Sequence, residues 1–230
     1  TACIFLDVEK AFDRVWHAGL LYKLSQLNIP TELVKIIESF LTDRTFITKV
    51  EDSYSSTRHI LAGVPQGSCL SPTLYLTYIN DIPTTPKSHL SLFADDTMFF
   101  TSNKNSKRAA IQLQHQLNLA TTWFHRWRIK INANKTVGIL FGCGNTSNVP
   151  PLLLDNHAVN WSTYVKYLGV TFGRRLNFSK HVQNITQKAT RTRGMLYPLL
   201  NRSSPVPLTT KLNMLKLYIS PILTYAGSSW

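Results

Sequence analysis

Acidic residues all but vanish from the second part of this 230-residue chain. Residues 97–230 hold one acid, Asp155, against 17 Lys and Arg, a net charge of +16. Residues 1–96 hold 11 acids and 8 Lys and Arg, a net of −3. An acidic half followed by a basic half suits a site that holds cations beside a polyanion track. Cysteine is scarce as well. Cys3, Cys69 and Cys143 lie far apart and form no CxxC pair, which argues against a zinc ribbon or a disulfide framework. Free thiols, buried or partly buried, are expected in a reducing compartment. His115, His125, His157 and His181 show no zinc spacing with them. No apolar run approaches the roughly 18 residues of a membrane helix, so no membrane partner is expected. Repeats and low-complexity tracts are missing too. Thr1-Ala2-Cys3 offers neither an initiator Met nor a signal peptide, and the chain stops abruptly at Trp230. A fragment without its flanks is expected.

What is there reads as a folded chain, with a 43% hydrophobic content. Ile4-Phe5-Leu6 predicts a buried strand. Residues 18–28 and 31–41 have helical apolar spacing. Phe46 to Val50 and Arg58 to Leu61 suit a hairpin across the polar Glu51–Ser56 stretch. Ser71-Pro72 predicts an N-cap and first turn of a helix running to about Asp81. Two strand-like runs, Leu90 to Ala94 and Thr97 to Phe100, flank Asp95-Asp96. Ser106 to Trp127 predicts an amphipathic helix with Ala110, Leu113, Leu117, Ala120 and Phe124 on one face. Val137 to Phe141 returns as a strand, Gly142 to Pro151 reads as a linker, and Tyr164 to Phe172 as a strand ended by Gly173. Basic helices follow over 178–200 and 208–219. Strands and helices alternate without a βαβ period, which predicts an α+β fold.

Three acids stand in apolar settings. Asp7 ends a strand, and Asp95-Asp96 sits between two others. Unpaired carboxylates buried there would cost several kcal/mol, and a pair of divalent metals would compensate them. A polar β-turn is the plainer reading of a DD pair alone.

The neighbouring words decide between these readings. Phe5-Leu6-Asp7-Val8-Glu9-Lys10-Ala11-Phe12-Asp13 resembles motif A of reverse transcriptases. Gly63-Val64-Pro65-Gln66-Gly67-Ser68 resembles motif B, and Phe93-Ala94-Asp95-Asp96 resembles motif C. Ile129-Lys130-Ile131-Asn132-Ala133-Asn134-Lys135-Thr136 resembles motif D. Tyr167-Leu168-Gly169-Val170-Thr171-Phe172 resembles motif E, the primer grip. All five occur in the family's order, and the wording is similar to that of jockey-like non-LTR retrotransposons of arthropods.

The resemblance implies a reverse-transcriptase palm, an antiparallel sheet packed on helices, followed by a helical thumb, with the fingers region missing. It divides the chain into a palm at 1–142, a linker and primer-grip hairpin at 143–176 and a partial thumb at 177–230. It implies an RNA-directed DNA polymerase that transfers deoxynucleotides to a primer 3′-hydroxyl. Asp7, Asp95, Asp96 and the Val8 carbonyl would hold two Mg²⁺ ions, with Mn²⁺ as substitute. Lys10 and Ala11 N–H groups would meet the triphosphate, and Phe12 would pack under the sugar. Gln66 would contact the nucleotide on a loop that Gly67 lets move. Lys135 would be the acid for pyrophosphate, and Asp13 is read as structural, pairing with Arg14 or a helix end. Tyr167, Leu168 and Gly169 would grip the primer, and the helix face with Lys180, Lys188, Arg191 and Arg202 would track the duplex. The partners implied are an RNA template, a DNA primer and deoxynucleoside triphosphates, with action inside the cell, in the nucleus during integration. Trp123, Trp127, Tyr164, Tyr167, Tyr197 and Tyr218 are expected mostly in the core. The alternative is a catalytically inert, nucleic-acid-binding remnant of a retroelement.

Overall fold

A computed structural model describes residues 1–142 and 148–230; Cys143 and part of the expected linker lie outside them. The elements group into two compact units, one from Thr1 to Leu140 with the segment ending at Trp161, the other mainly Ser162–Trp230.

The first unit opens with β1 (Ala2–Leu6), α1 (His17–Ser25) and α2 (Thr31–Leu41). A narrow ribbon follows, built from β2 (Thr45–Phe46), β3 (Lys49–Val50), β4 (Ser53–Tyr54) and β5 (Arg58–His59). β2 pairs β5 and β3 pairs β4. The expected hairpin is there, but pairing reaches into the polar stretch at Ser53–Tyr54. Next come α3 (Ser71–Ile79), β6 (Ser88–Phe93), β7 (Asp96–Thr101), α4 (Ser106–Arg126) and β8 (Val137–Leu140). β9 (Leu152–Leu154) and β10 (His157–Val159) form a hairpin, and β11 (Trp161–Ser162) is two residues long.

The main sheet has the order β11-β8-β1-β7-β6. β1 sits between β7 and β8, antiparallel to both, and β6 pairs antiparallel with β7. β1 is therefore an apolar run with Ala2, Ile4 and Leu6 buried. α4 covers the sheet. Its residues Ala110, Leu113, Leu117, Ala120 and Phe124 are all buried, as their 3.6-residue spacing requires. Asn105 caps it, its side chain accepting from the Arg108 N–H. Each buried leucine there contributes about 1.5–3 kcal/mol.

Two buried polar side chains in this core find partners. Gln116, fully buried, accepts from the Thr85 N–H at 2.7 Å and donates to the Pro83 carbonyl at 2.7 Å. It ties α4 to the approach to β6. Lys23 is buried against the rings of Tyr78, Trp123 and Trp127 and pairs with Asp81. Burial lowers its pKa, and Asp81 opposes that shift.

The second unit consists of β12 (Tyr164–Tyr167), β13 (Val170–Gly173), α5 (Ser179–Leu200), α6 (Leu208–Met214), a π-helical stretch at Leu215–Ile219 and α7 (Ser220–Thr224). The run read as one strand over Tyr164–Phe172 is a hairpin. Leu168 and Gly169 both have positive φ, which makes the two-residue turn that matches strand twist. α5 packs on β13 and α7. Tyr164, Tyr197 and Tyr218 are exposed, against the expectation of core packing. Tyr197 lies on α5 and Tyr218 in the π-helical stretch, while Tyr164 lies on the strand β12.

Candidate active site

The β1–β7 register sets the geometry of the three aspartates. Leu6 pairs Thr97, so one further step places Asp7 opposite Asp96. β6 and β7 close through Phe93 and Asp96, leaving Ala94-Asp95 as a two-residue turn. Ala94 takes a φ of 52°, a conformation few non-glycine residues adopt. Such backbone persists where its surroundings hold it, and it is often found at functional sites.

Asp95 and Asp96 are exposed, and the Asp7 side chain is 41% exposed. The expected cost of burying three carboxylates therefore does not arise, because a hairpin tip keeps its carboxylates in water. Mutual repulsion remains. The Asp96 carboxyl is held above its ordinary pKa, first by partial burial, then by Asp95 and Asp7. Among the described residues, no three His, Cys, Asp or Glu side chains close into a metal-ligating group on their own. The donor set is nonetheless all oxygen, and Mg²⁺ takes few ligands from protein and the rest from water and phosphate. The carboxylates that repel one another across this register fit such an ion.

Motif D lies alongside. Val8 bridges Ile131, with the Glu9 N–H donating to the Lys130 carbonyl and the Asn132 N–H to the Asp7 carbonyl, both at 2.8 Å. Those bonds use the neighbours' backbone groups, so the Val8 carbonyl points away from Ile131, toward the β7 side. Lys135 is 70% exposed and stands 4.0 Å from the Asp7 carboxylate. Such a pair is weak in water. Glu9 pairs with Lys130 at 3.1 Å and with Arg14 at 3.5 Å.

After β1 the chain turns sharply. Lys10 has a φ of 49°, and its carbonyl accepts from the Asp13 and Arg14 N–H groups. Among the described residues, the N–H groups of Lys10, Ala11 and Phe12 have no backbone acceptor. Successive free N–H groups beside a left-handed residue make an anion-binding concavity. Phe12 is half-buried and stacks on Tyr75, ring centroids 4.9 Å apart. Tyr75 is buried, its hydroxyl without a partner among the described residues, and burial raises its pKa, with Asp95 adding to the effect.

Motif B is stitched to this turn. Gly63 N–H donates to the Val15 carbonyl and Val64 N–H to the Phe12 carbonyl, both at 2.8 Å. Gly63 has a φ of 93°, and a Cβ there would lie 2.8 Å from the Asp13 backbone. Its carbonyl accepts from His17 and Arg44. Gln66 and Gly67 are exposed, with nothing within 4 Å of a Cβ at Gly67. Gln66 Nε2 donates to Asp13 Oδ1 at 2.9 Å. Asp13 thus partners Gln66; it is Glu9 that pairs with Arg14. Ser71 is not a cap: Leu70 holds the N-cap position of α3, and the buried Ser71 hydroxyl donates to the Pro65 carbonyl at 2.5 Å. Cys69 is exposed, unlike the buried Cys3, because it sits in this loop.

In the second unit, Tyr167 and Leu168 are half-buried and Gly169 is exposed at the hairpin turn. The Tyr225 hydroxyl donates to the Leu168 carbonyl at 3.0 Å, and a Cβ on Gly169 would lie 2.9 Å from the Tyr225 ring. A cavity of about 620 Å³ opens here, lined by Lys166, Gly169, Thr171, His181 and Lys188 among others. Lys180, Lys188, Arg191 and Arg202 are exposed along and after α5. The motifs' order led to Asp7, Asp95, Asp96 and Gln66. It gave no sign of the roles of His17, Arg44 and Thr136, whose partners lie far off in sequence.

An antiparallel sheet with paired aspartates on a hairpin and a third on the adjacent strand is the palm arrangement of template-directed polymerases. Residues 1–172 match the reverse transcriptase (RNA-dependent DNA polymerase) family, and the chain belongs to it. The RNA-directed DNA polymerase from mobile element jockey of Drosophila melanogaster is 39% identical over 230 residues, covering 96% of this chain and 25% of the relative. The relative named probable RNA-directed DNA polymerase from transposon BS, of the same fly, is 35% identical over 236 residues, covering 99% and 26%. The jockey polymerase of Drosophila funebris is 34% identical over 231 residues, covering 96% and 25%. The chain spans about a quarter of the length of these curated relatives. Among solved structures, apo telomerase from Candida tropicalis, truncated from its C-terminal domain, aligns with a TM-score of 0.53 at 18% identity, over 77% of this chain and 34% of that one. Telomerase from Candida albicans in complex with a telomeric RNA fragment aligns at 0.52 and 11% identity, over 100% and 46%. At such identities the likeness concerns the fold.

Proposed function

We propose that the chain carries the polymerising centre of a non-LTR retrotransposon reverse transcriptase, adding deoxynucleotides to a primer 3′-hydroxyl on an RNA template. The observation that carries this reading is the register that sets Asp7 opposite Asp96, with Asp95 in the turn beside them. Asp7, Asp95, Asp96 and the Val8 carbonyl would hold two Mg²⁺ ions, which when bound activate the primer hydroxyl and stabilise the leaving pyrophosphate. The chain's own residues do the rest. The free N–H groups of Lys10 and Ala11 receive the triphosphate. The Phe12 ring, backed by Tyr75, lies under the sugar and excludes a 2′-hydroxyl by bulk. Gln66 presents its amide to the nucleotide. The Lys135 ammonium gives its proton to the pyrophosphate. Tyr167, Leu168 and Gly169 grip the primer, and the acid-free basic surface of the second unit follows the phosphates. Nuclear action during integration belongs to the same reading.

The test is primer extension on an RNA template by a full-length jockey-type polymerase carrying these 230 residues in place of its own. Asp95→Asn abolishes extension and leaves template–primer binding within about threefold. Extension at the parent rate by Asp95→Asn contradicts the assignment. A parent that binds steeply with falling salt yet extends nothing favours the inert-remnant reading.

A further inference from the structure

Asn132 is the point at which the motif D turn is fastened to the catalytic strand. Its backbone N–H donates to the Asp7 carbonyl at 2.8 Å. Its carbonyl accepts from the N–H groups of Lys135 and Thr136, at 3.2 and 3.0 Å, and from the Thr136 hydroxyl at 2.9 Å. Its side-chain Oδ1 accepts from the Asn134 N–H at 3.1 Å and the Lys135 N–H at 3.3 Å. The buried Thr136 hydroxyl in turn lies 3.5 Å from the Asp7 N–H. One half-buried residue therefore grips Asp7 on one side and the backbone of Lys135 on the other.

We propose that Asn132 is a positioning residue that sets the Lys135 ammonium over the reaction centre, a role that rests on the polymerase reading above. Lysine has a flexible four-carbon stem, and this one is 70% exposed, with one weak ion pair at 4.0 Å to Asp7. Among the described residues, that pair alone holds its side chain. Its reach is set by where its Cα is anchored, and the anchor is the turn that the Asn132 side chain closes on itself. Asparagine does this well because its carbonyl accepts from N–H groups two and three residues on. Alanine cannot. Serine can, with a shorter arm.

The experiment is single-nucleotide incorporation by the full-length jockey-type polymerase carrying this segment, with Asn132→Ala, Asn132→Ser, Lys135→Ala and the Asn132→Ala/Lys135→Ala pair, each checked by thermal melting. Asn132→Ala lowers the maximal rate about tenfold and leaves apparent nucleotide affinity within about threefold. Asn132→Ser recovers most of the rate. The double variant is no slower than Lys135→Ala alone, since the two act as a unit. If Asn132→Ala does not fold, Asn132→Gly, which also lacks the side-chain acceptor but suits a turn, carries the same criterion alone and on the Lys135→Ala background. Losses that multiply, or an Asn132→Ala protein at the parent rate, overturn the proposal. So does a drop confined to nucleotide affinity. A parent that incorporates nothing overturns the polymerase reading beneath it, and is told apart from these outcomes by that fact.

Discussion

Asp7 stands opposite Asp96, one register step beyond the Leu6–Thr97 pair. Two carboxylates on one sheet face repel, and Asp95 adds to the repulsion. The Asp96 pKa is raised in the folded chain, so the folded state binds more protons than the unfolded one between the ordinary carboxylate value and the raised one. Stability must then fall as pH rises through that window. Asp96→Asn is expected to melt about 2 °C higher than the parent at neutral pH and level with it in acid, the gain being small because the group is largely solvated. Millimolar Mg²⁺ should raise the parent's melting temperature more than the variant's. Calorimetry across pH, with and without Mg²⁺, reads both.

Gln66 and Asp13 share a charge-assisted hydrogen bond that fixes which end of the amide faces outward. Asp13→Ala frees that amide to flip. In nucleotide-incorporation kinetics it should weaken apparent nucleotide affinity about three- to tenfold, roughly 1 kcal/mol, with little change in maximal rate. Asp13→Asn, which keeps an acceptor, should lie between.

Phe12 rests on Tyr75, so sugar selection by Phe12, as proposed, would depend on both rings. Phe12→Ala should raise ribonucleotide incorporation relative to deoxynucleotide by at least about tenfold. Tyr75→Phe removes a buried hydroxyl with no partner among the described residues and should be neutral or stabilising by about 1 kcal/mol, with discrimination kept. Competition assays with paired nucleotides decide the first, and denaturant melts the second.

Cys3 is buried at the centre of the sheet, its pKa pushed up to about 12 by desolvation, whereas Cys69 is exposed in the motif B loop. A thiolate reagent at pH 8 should modify Cys69 within minutes and Cys3 only on unfolding. Mapping the labelled peptides tests this. Rapid Cys3 labelling in the native chain would count against the sheet order.

The long elements were legible because their periodicities are long. α4 repeats its apolar spacing over about four turns, and β1 and the apolar stretches of β6 and β7 bracket the aspartates. The β9–β10 hairpin escaped notice although its signal was present. Asp155-Asn156, both with positive φ, join Leu152-Leu153-Leu154 to His157-Ala158-Val159, a turn pair that asparagine and aspartate favour. The Tyr164–Phe172 run hid its turn because Leu168 takes a left-handed conformation that leucine rarely adopts. Motif order pointed to the proposed site residues, but not to what holds them. The Gln66–Asp13 bond spans 53 residues and the His17–Gly63 bond 46, and no local pattern records such pairs.

Mn²⁺ titrated into the 230-residue chain while NMR line broadening is followed tests the central claim most directly, since paramagnetic broadening reports even weak occupancy. Signals of residues 6–9, 94–97 and 131–132 should broaden first, and Asp95→Asn should weaken that effect. Broadening centred elsewhere, or unchanged by Asp95→Asn, would contradict a metal site built from Asp7, Asp95 and Asp96.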